Sequence, residues 1–141
     1  MKSITLSSSS PEETPALGAP LAPATRPDDV IGLIGDLGSG KTCLTQGIAL
    51  GVGIDRRRYI TSPSFTIIKI HEGIVPLYHV DLYRLEDEDS IFELGLLDFM
   101  ESGGVTVIEW FERFPPGLRG SVPVIRVEIQ DLSRQGIPTL R

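Results

Sequence analysis

The sequence predicts an α/β domain built on a sheet of mixed strand direction, and three observations predict it. A short apolar run, Val30-Ile31-Gly32-Leu33-Ile34, passes through a glycine-rich segment into a helical pattern from Lys41 to Leu50. Two strand-like runs, Ser64 to His71 and Val75 to Leu82, join at Glu72-Gly73, a connection short enough to demand an antiparallel hairpin. A further apolar run, Val105 to Ile108, ends on Glu109. A strand–loop–helix unit calls for parallel neighbours and a hairpin for antiparallel ones, so together they specify a mixed sheet.

The elements follow in order. The stretch to about Pro27 is rich in Ser, Pro and Ala, and Ser10-Pro11-Glu12-Glu13 has the form of a capped helix start. Pro15, Pro20 and Pro23 work against continuation, because proline lacks a donor and crowds the preceding turn. Val30–Ile34 is short, apolar and reads as a buried strand. In the helix from Lys41, Leu44 and Ile48 share a face, and Gly51 and Gly53 supply the stop. Period-two alternation in the second hairpin strand sets His79, Asp81 and Tyr83 on one face and Val80 and Leu82 on the other. Asp89 or Ser90 caps a predicted helix to about Met100, with Gly95 as its weak point. Pro115-Pro116-Gly117 is a turn, and Val124 to Gln130 alternates as a strand.

Size and charge narrow the function. The 141 residues suit one domain with one core, residues 1–141. No apolar run approaches the ~20 residues a membrane helix needs. Met1-Lys2-Ser3 leads into no long apolar stretch, so no secretory signal is expected. Cys43 is the only cysteine and excludes an internal disulfide; together these features predict a cytoplasmic protein without a membrane partner. A net charge of −6 argues against bulk electrostatic binding of nucleic acid. Arg56-Arg57-Arg58 is the one basic cluster; it reads as a solvated loop, with contact to RNA or an acidic partner as the sharper alternative.

The segment Gly35-Asp36-Leu37-Gly38-Ser39-Gly40-Lys41-Thr42 fits G-x-x-x-x-G-K-[ST]. Its glycines let the backbone turn N–H groups inward onto phosphate oxygens. Lys41 supplies a movable charge for the β- and γ-phosphates, Thr42 a hydroxyl for magnesium, and the following helix the positive end of its dipole. The position between a strand and a helix is the context this motif requires. Such a loop needs an acidic partner for magnesium or water. Asp81 and Glu109 both end apolar strands, and the residues alone leave open which is the ligand and which the base. Thr61-Ser62-Pro63-Ser64-Phe65 reads as a Ser/Thr/Pro turn, or as a switch sensing the γ-phosphate. Trp110 reads as a packed residue, His79 as a hydrogen-bonded structural one, and Cys43 as a small packed side chain.

Taken together, these motifs resemble the bacterial TsaE (YjeE) ATPases of tRNA threonylcarbamoyladenosine biosynthesis. The resemblance rests on Gly35 to Thr42, Thr61 to Phe65, His79-Val80-Asp81-Leu82-Tyr83-Arg84, Glu93-Leu94-Gly95-Leu96 and Val107-Ile108-Glu109-Trp110, in that order and spacing. It implies a P-loop NTPase-like three-layer fold and a magnesium-dependent ATPase. Thr42 and Glu109 would hold magnesium, with Asp81 and Lys41 acting at the reacting phosphate. ATP would contact Asp36, Leu37, Gly38, Ser39, Gly40, Lys41, Thr42, Cys43, Thr61 and Ser62. The implied partners are TsaB and TsaD, with ATP turnover here supporting repeated tRNA modification and the threonylcarbamoyl transfer belonging to TsaD. The family's opening pattern T-x-x-L-G-x-x-L-A is kept from Thr14 to Ala22, but with prolines inserted.

Three other functions compete. A small-molecule P-loop kinase needs an acceptor site and a lid, for which this chain has little room. A GTPase of the usual kind reads guanine through N-K-x-D, and the chain contains no asparagine. A non-catalytic adaptor that reports nucleotide occupancy differs from the ATPase only in turnover.

Overall fold

The computed structural model describes residues 2–6, 28–35, 41–54, 67–73, 75–84, 95–114 and 124–129. The expected helix start at Ser10, the Arg56–Arg58 cluster and the Pro115–Gly117 turn lie outside them.

Among the described residues, six strands form one sheet: β1 (Lys2–Leu6), β2 (Val30–Ile34), β3 (Ile68–His71), β4 (Leu77–Asp81), β5 (Val105–Glu109) and β6 (Val124–Ile129). Their spatial order is β1-β6-β2-β5-β4-β3. Every neighbouring pair is parallel except β3 and β4, which form the antiparallel hairpin the sequence predicts. Helix α1 (Lys41–Gly51) follows β2, and a short α2 (Leu96–Met100) precedes β5. A 3₁₀ turn, Phe111–Arg113, follows β5.

Strand periodicity divides the core into two layers around the sheet. Ile31, Leu33, Leu77, Val105, Val107 and Val127 pack on one face against Leu44, Ile48 and Ala49 of α1. Val30, Val80, Ile108 and Val124 pack on the other against Leu96, Met100, Phe111 and Phe114. Each such side chain contributes about 1.5–3 kcal/mol by leaving water. The result is the expected three-layer P-loop NTPase-like fold with a mixed sheet. β4 and β5 are buried at every position, as interior strands of a parallel sheet must be.

Helix α1 ends as its glycines foretell. Gly53 takes φ +92, Gly53 N–H donates to Leu50 O and Ile54 N–H to Ala49 O, which satisfies two carbonyls that no helical turn follows. Gly32 has a different reason. A Cβ there would lie 2.5 Å from the Phe111 ring, so only glycine lets the 3₁₀ turn close onto β2.

Four expectations are corrected. β1 was not anticipated; its partner β6 lies more than a hundred residues away in the chain, so no local signal announces the pairing. The described part of β3 begins at Ile68 and not Ser64, because Ile67 sits at φ 70, outside the extended region. β4 begins at Leu77 and not Val75: Pro76 has no N–H for a ladder, and its carbonyl instead accepts from Val105 N–H at 2.9 Å. Gly95 takes φ +69, which no α-helix interior accommodates, so the described helix Leu96–Met100 does not run through it; the expected cap at Asp89 or Ser90 lies outside the described residues.

Candidate functional site

The parallel register brings the carboxyl ends of β2, β5 and β4 side by side. Leu33 pairs with Glu109, and Glu109 with Asp81. Crevices beyond the carboxyl ends of strands are where open α/β sheets bind ligands. Here the described part of α1 begins at Lys41, which sets a helix N-terminus and its backbone N–H groups at the same edge.

Lys41 is buried, at 5% exposure. Its ammonium donates to the Gly35 carbonyl at 2.5 Å and stands 4.0 Å from the centre of the Trp110 ring. A cation against an aromatic face gains electrostatic attraction from the ring quadrupole. Thr42 Oγ1 donates to Glu109 Oε1 at 3.0 Å, a bond between residues far apart in sequence. The other carboxylate oxygen of Glu109 contacts His79 Nε2. Glu109 is thus 2% exposed and held at both oxygens. Asp81, 3% exposed, accepts from Tyr83 N–H through Oδ1 at 2.8 Å, which turns the chain out of β4.

An aromatic group borders this edge. Trp110 has φ 59 and ψ 44, a left-handed conformation rare for a bulky residue. That turn sets its ring over Lys41 and 4.9 Å from the Tyr83 ring, with the Arg113 guanidinium 5.5 Å from Tyr83. Backbone strain of this kind collects where structure serves a ligand or a switch. Burial raises the Glu112 carboxyl above its usual range, opposed by the N–H groups of Glu112 and Gly35 and by the charges of Lys41 and Arg113.

Of the residues singled out from sequence, Lys41, Thr42, Asp81 and Glu109 therefore meet at one edge. Asp36, Leu37, Gly38, Ser39 and Gly40 lie outside the described residues, as do Thr61 and Ser62. Cys43 lies on α1 at intermediate burial. Trp110 is packed, as expected, partly buried against the Phe111 layer of the core, and it also covers Lys41; Tyr83 stands beyond the end of β4 instead of in line with His79. His79 is hydrogen-bonded, as expected, but its partner is Glu109; the adjacency appears only once β4 and β5 are in register. Glu112 was missed, and nothing in its immediate sequence signals proximity to Lys41.

Thr42 and Glu109 form an all-oxygen donor pair, the chemistry that a hard cation such as magnesium selects. Among the described residues no three His, Cys, Asp or Glu side chains gather as a metal cage. A cation here would share its shell with ligand oxygens, which is magnesium's habit beside phosphates. No described helix is long and apolar enough to cross a membrane.

Comparison with known proteins identifies the family. Residues 8–136 match the family model described as threonylcarbamoyl adenosine biosynthesis protein TsaE. The tRNA threonylcarbamoyladenosine biosynthesis protein TsaE of Bacillus subtilis is 46% identical over 111 residues, 78% of this chain and 68% of that protein. Its counterpart in Treponema pallidum is 40% identical over 106 residues, 75% of this chain and 77% of that one. The crystal structure of Bacillus subtilis YdiB superposes with a TM-score of 0.68 at 36% identity, covering 87% of this chain and 73% of that one. With the family match spanning most of its length, the chain belongs to the TsaE family of threonylcarbamoyl adenosine biosynthesis proteins.

Proposed function

We propose that this protein binds ATP with magnesium and hydrolyses it, in support of threonylcarbamoyl adenosine modification of tRNA alongside TsaB and TsaD. The observation that carries the reading is the Thr42–Glu109 hydrogen bond, which joins the start of α1 to the end of β5 beside buried Lys41. Lys41 offsets phosphate charge, and the first-turn N–H groups of α1 orient phosphate oxygens. Thr42 and Glu109 would hold magnesium, which when bound neutralises charge on the β- and γ-phosphate oxygens. Asp81, one strand over and in register with Glu109, accepts a hydrogen bond from water and aims it at the γ-phosphate. Trp110 and Tyr83 restrict water at the mouth. The acyl transfer itself requires none of these groups and is left to a partner.

The test is ATP turnover by the full chain, measured alone and with TsaB and TsaD added. Acceleration by the partners is the expected result. Binding without turnover in their presence would make the chain an adaptor, and phosphate transfer to a small acceptor would make it a kinase.

A further inference from the structure

His79 has no solvent exposure, and alternation along β4 sets it on the face of Leu77, the face whose core includes Val105, Val107, Leu33 and Leu44. An imidazole among aliphatic side chains carries a desolvation cost that a leucine would not. Its Nδ1 has no hydrogen-bond partner among the described residues. Its polar contact is Nε2 to Glu109 Oε2. A carboxylate offers only acceptors, so the imidazole is the donor.

The geometry explains why this contact matters. β4 and β5 place His79 opposite Val107, one step inward from the Asp81–Glu109 pair and on the α1 face. The ring therefore approaches Glu109 from within the core, while Thr42 approaches from α1. Glutamate has three rotatable side-chain bonds, and a single partner leaves the carboxylate free to swivel. Two donors from two rigid elements fix both oxygens. Groups that orient a ligating carboxylate tune metal affinity without touching the metal.

We propose that His79 is a positioning residue. Its Nε2–H holds Glu109 Oε2 so that Oε1 stays beside Thr42, and this sets how strongly magnesium enhances nucleotide binding. The inference rests on the reading of Glu109 as a magnesium ligand.

The experiment measures binding of a non-hydrolysable ATP analogue by calorimetry, with magnesium and with excess chelator, on the full chain. The gain in affinity from magnesium is the readout, and thermal melting checks folding. His79→Gln carries an amide to where Nε2 stood; His79→Asn carries one only as far as Nδ1. The asparagine variant should lose roughly tenfold of the magnesium gain, with chelated affinity unchanged, and the glutamine variant should retain most of it. Should His79→Asn fail to fold, His79→Met, which fills irregular apolar space, repeats the comparison. An unchanged gain without the donor, or equal losses with and without magnesium, would overturn the proposal. Glu109→Gln run in parallel separates the two readings. If it keeps the magnesium gain, the ligand role falls and the positioning role with it. If it loses the gain while His79→Asn keeps it, only the positioning role falls.

Discussion

The two ends of the sheet each hold carboxylates at a strand terminus, but they use them differently. At the amino end, Asp28 is exposed and spends its carboxylate on backbone. Oδ1 accepts from Gly103 N–H at 2.6 Å, while its own N–H donates to Gly104 O at 2.8 Å. This clasp ties the start of β2 to the start of β5. At the carboxyl end, Asp81 and Glu109 are buried, and Glu109 is held by side chains from α1 and β4. Solvated acids satisfied by main chain are scaffolding. Buried acids gathered from several elements carry an energetic cost, and such clusters are where functional sites concentrate.

That contrast can be broken or sharpened by substitution. The largest effect belongs to Lys41→Ala, which removes the charge proposed to face the phosphates. Nucleotide binding should vanish in calorimetry while the chain still melts cooperatively, and undiminished affinity would remove the phosphate reading. Next comes Asp81→Asn. Hydrolysis should fall by roughly a hundredfold or more, within the range of lost acid–base assistance, while affinity stays close to that of the parent. A variant that loses binding and keeps turnover per bound ATP would give Asp81 a purely structural role.

At the opposite end, Asp28→Ala should cost about 1–2 kcal/mol, from one charge-assisted hydrogen bond and a left-handed residue. Chemical denaturation reads that loss, and nucleotide affinity should not move. A fall in affinity would erase the distinction between the two ends.

The smallest effect concerns pH. Burial raises the Glu112 carboxyl above its usual 4.5, so the folded chain keeps this proton to a higher pH than the unfolded chain does. Its contribution to stability is full below the ordinary carboxylate range and is lost as pH rises through the raised value. Glu112 is also exposed on one side, and solvent keeps the effect small. Glu112→Gln should slightly flatten the stability profile just above pH 4.5; coincident profiles would show that the group is fully hydrated in the folded chain.

Much of the fold was legible because it is written locally. The apolar runs of β2 and β5, the Leu44–Ile48 face of α1 and the glycines that stop it need no distant information. β1 was illegible for the opposite reason: Lys2–Leu6 becomes a strand only beside β6. The site divides in the same way. The glycine-rich motif and its Lys41-Thr42 end are contiguous and readable. That Thr42 meets Glu109, and that His79 sits beneath it, depends on strand register: residue patterns leave Asp81 and Glu109 undecided, the resemblance implies Glu109 as the companion of Thr42, and the His79 contact appears only in the structure. Trp110 is legible as a packed residue, but its place over Lys41 comes from the left-handed turn after β5, which is a property of the chain reversal and not of tryptophan.

Trp110 also supplies the most direct measurement. It is the only tryptophan in the chain, and its ring lies 4.0 Å from the Lys41 ammonium. Titration with magnesium–ATP, followed by fluorescence and in parallel by calorimetry, should give a saturable signal that disappears in Lys41→Ala. Neither a fluorescence change nor a heat of binding in the parent chain would contradict the central claim that this edge of the sheet binds nucleotide.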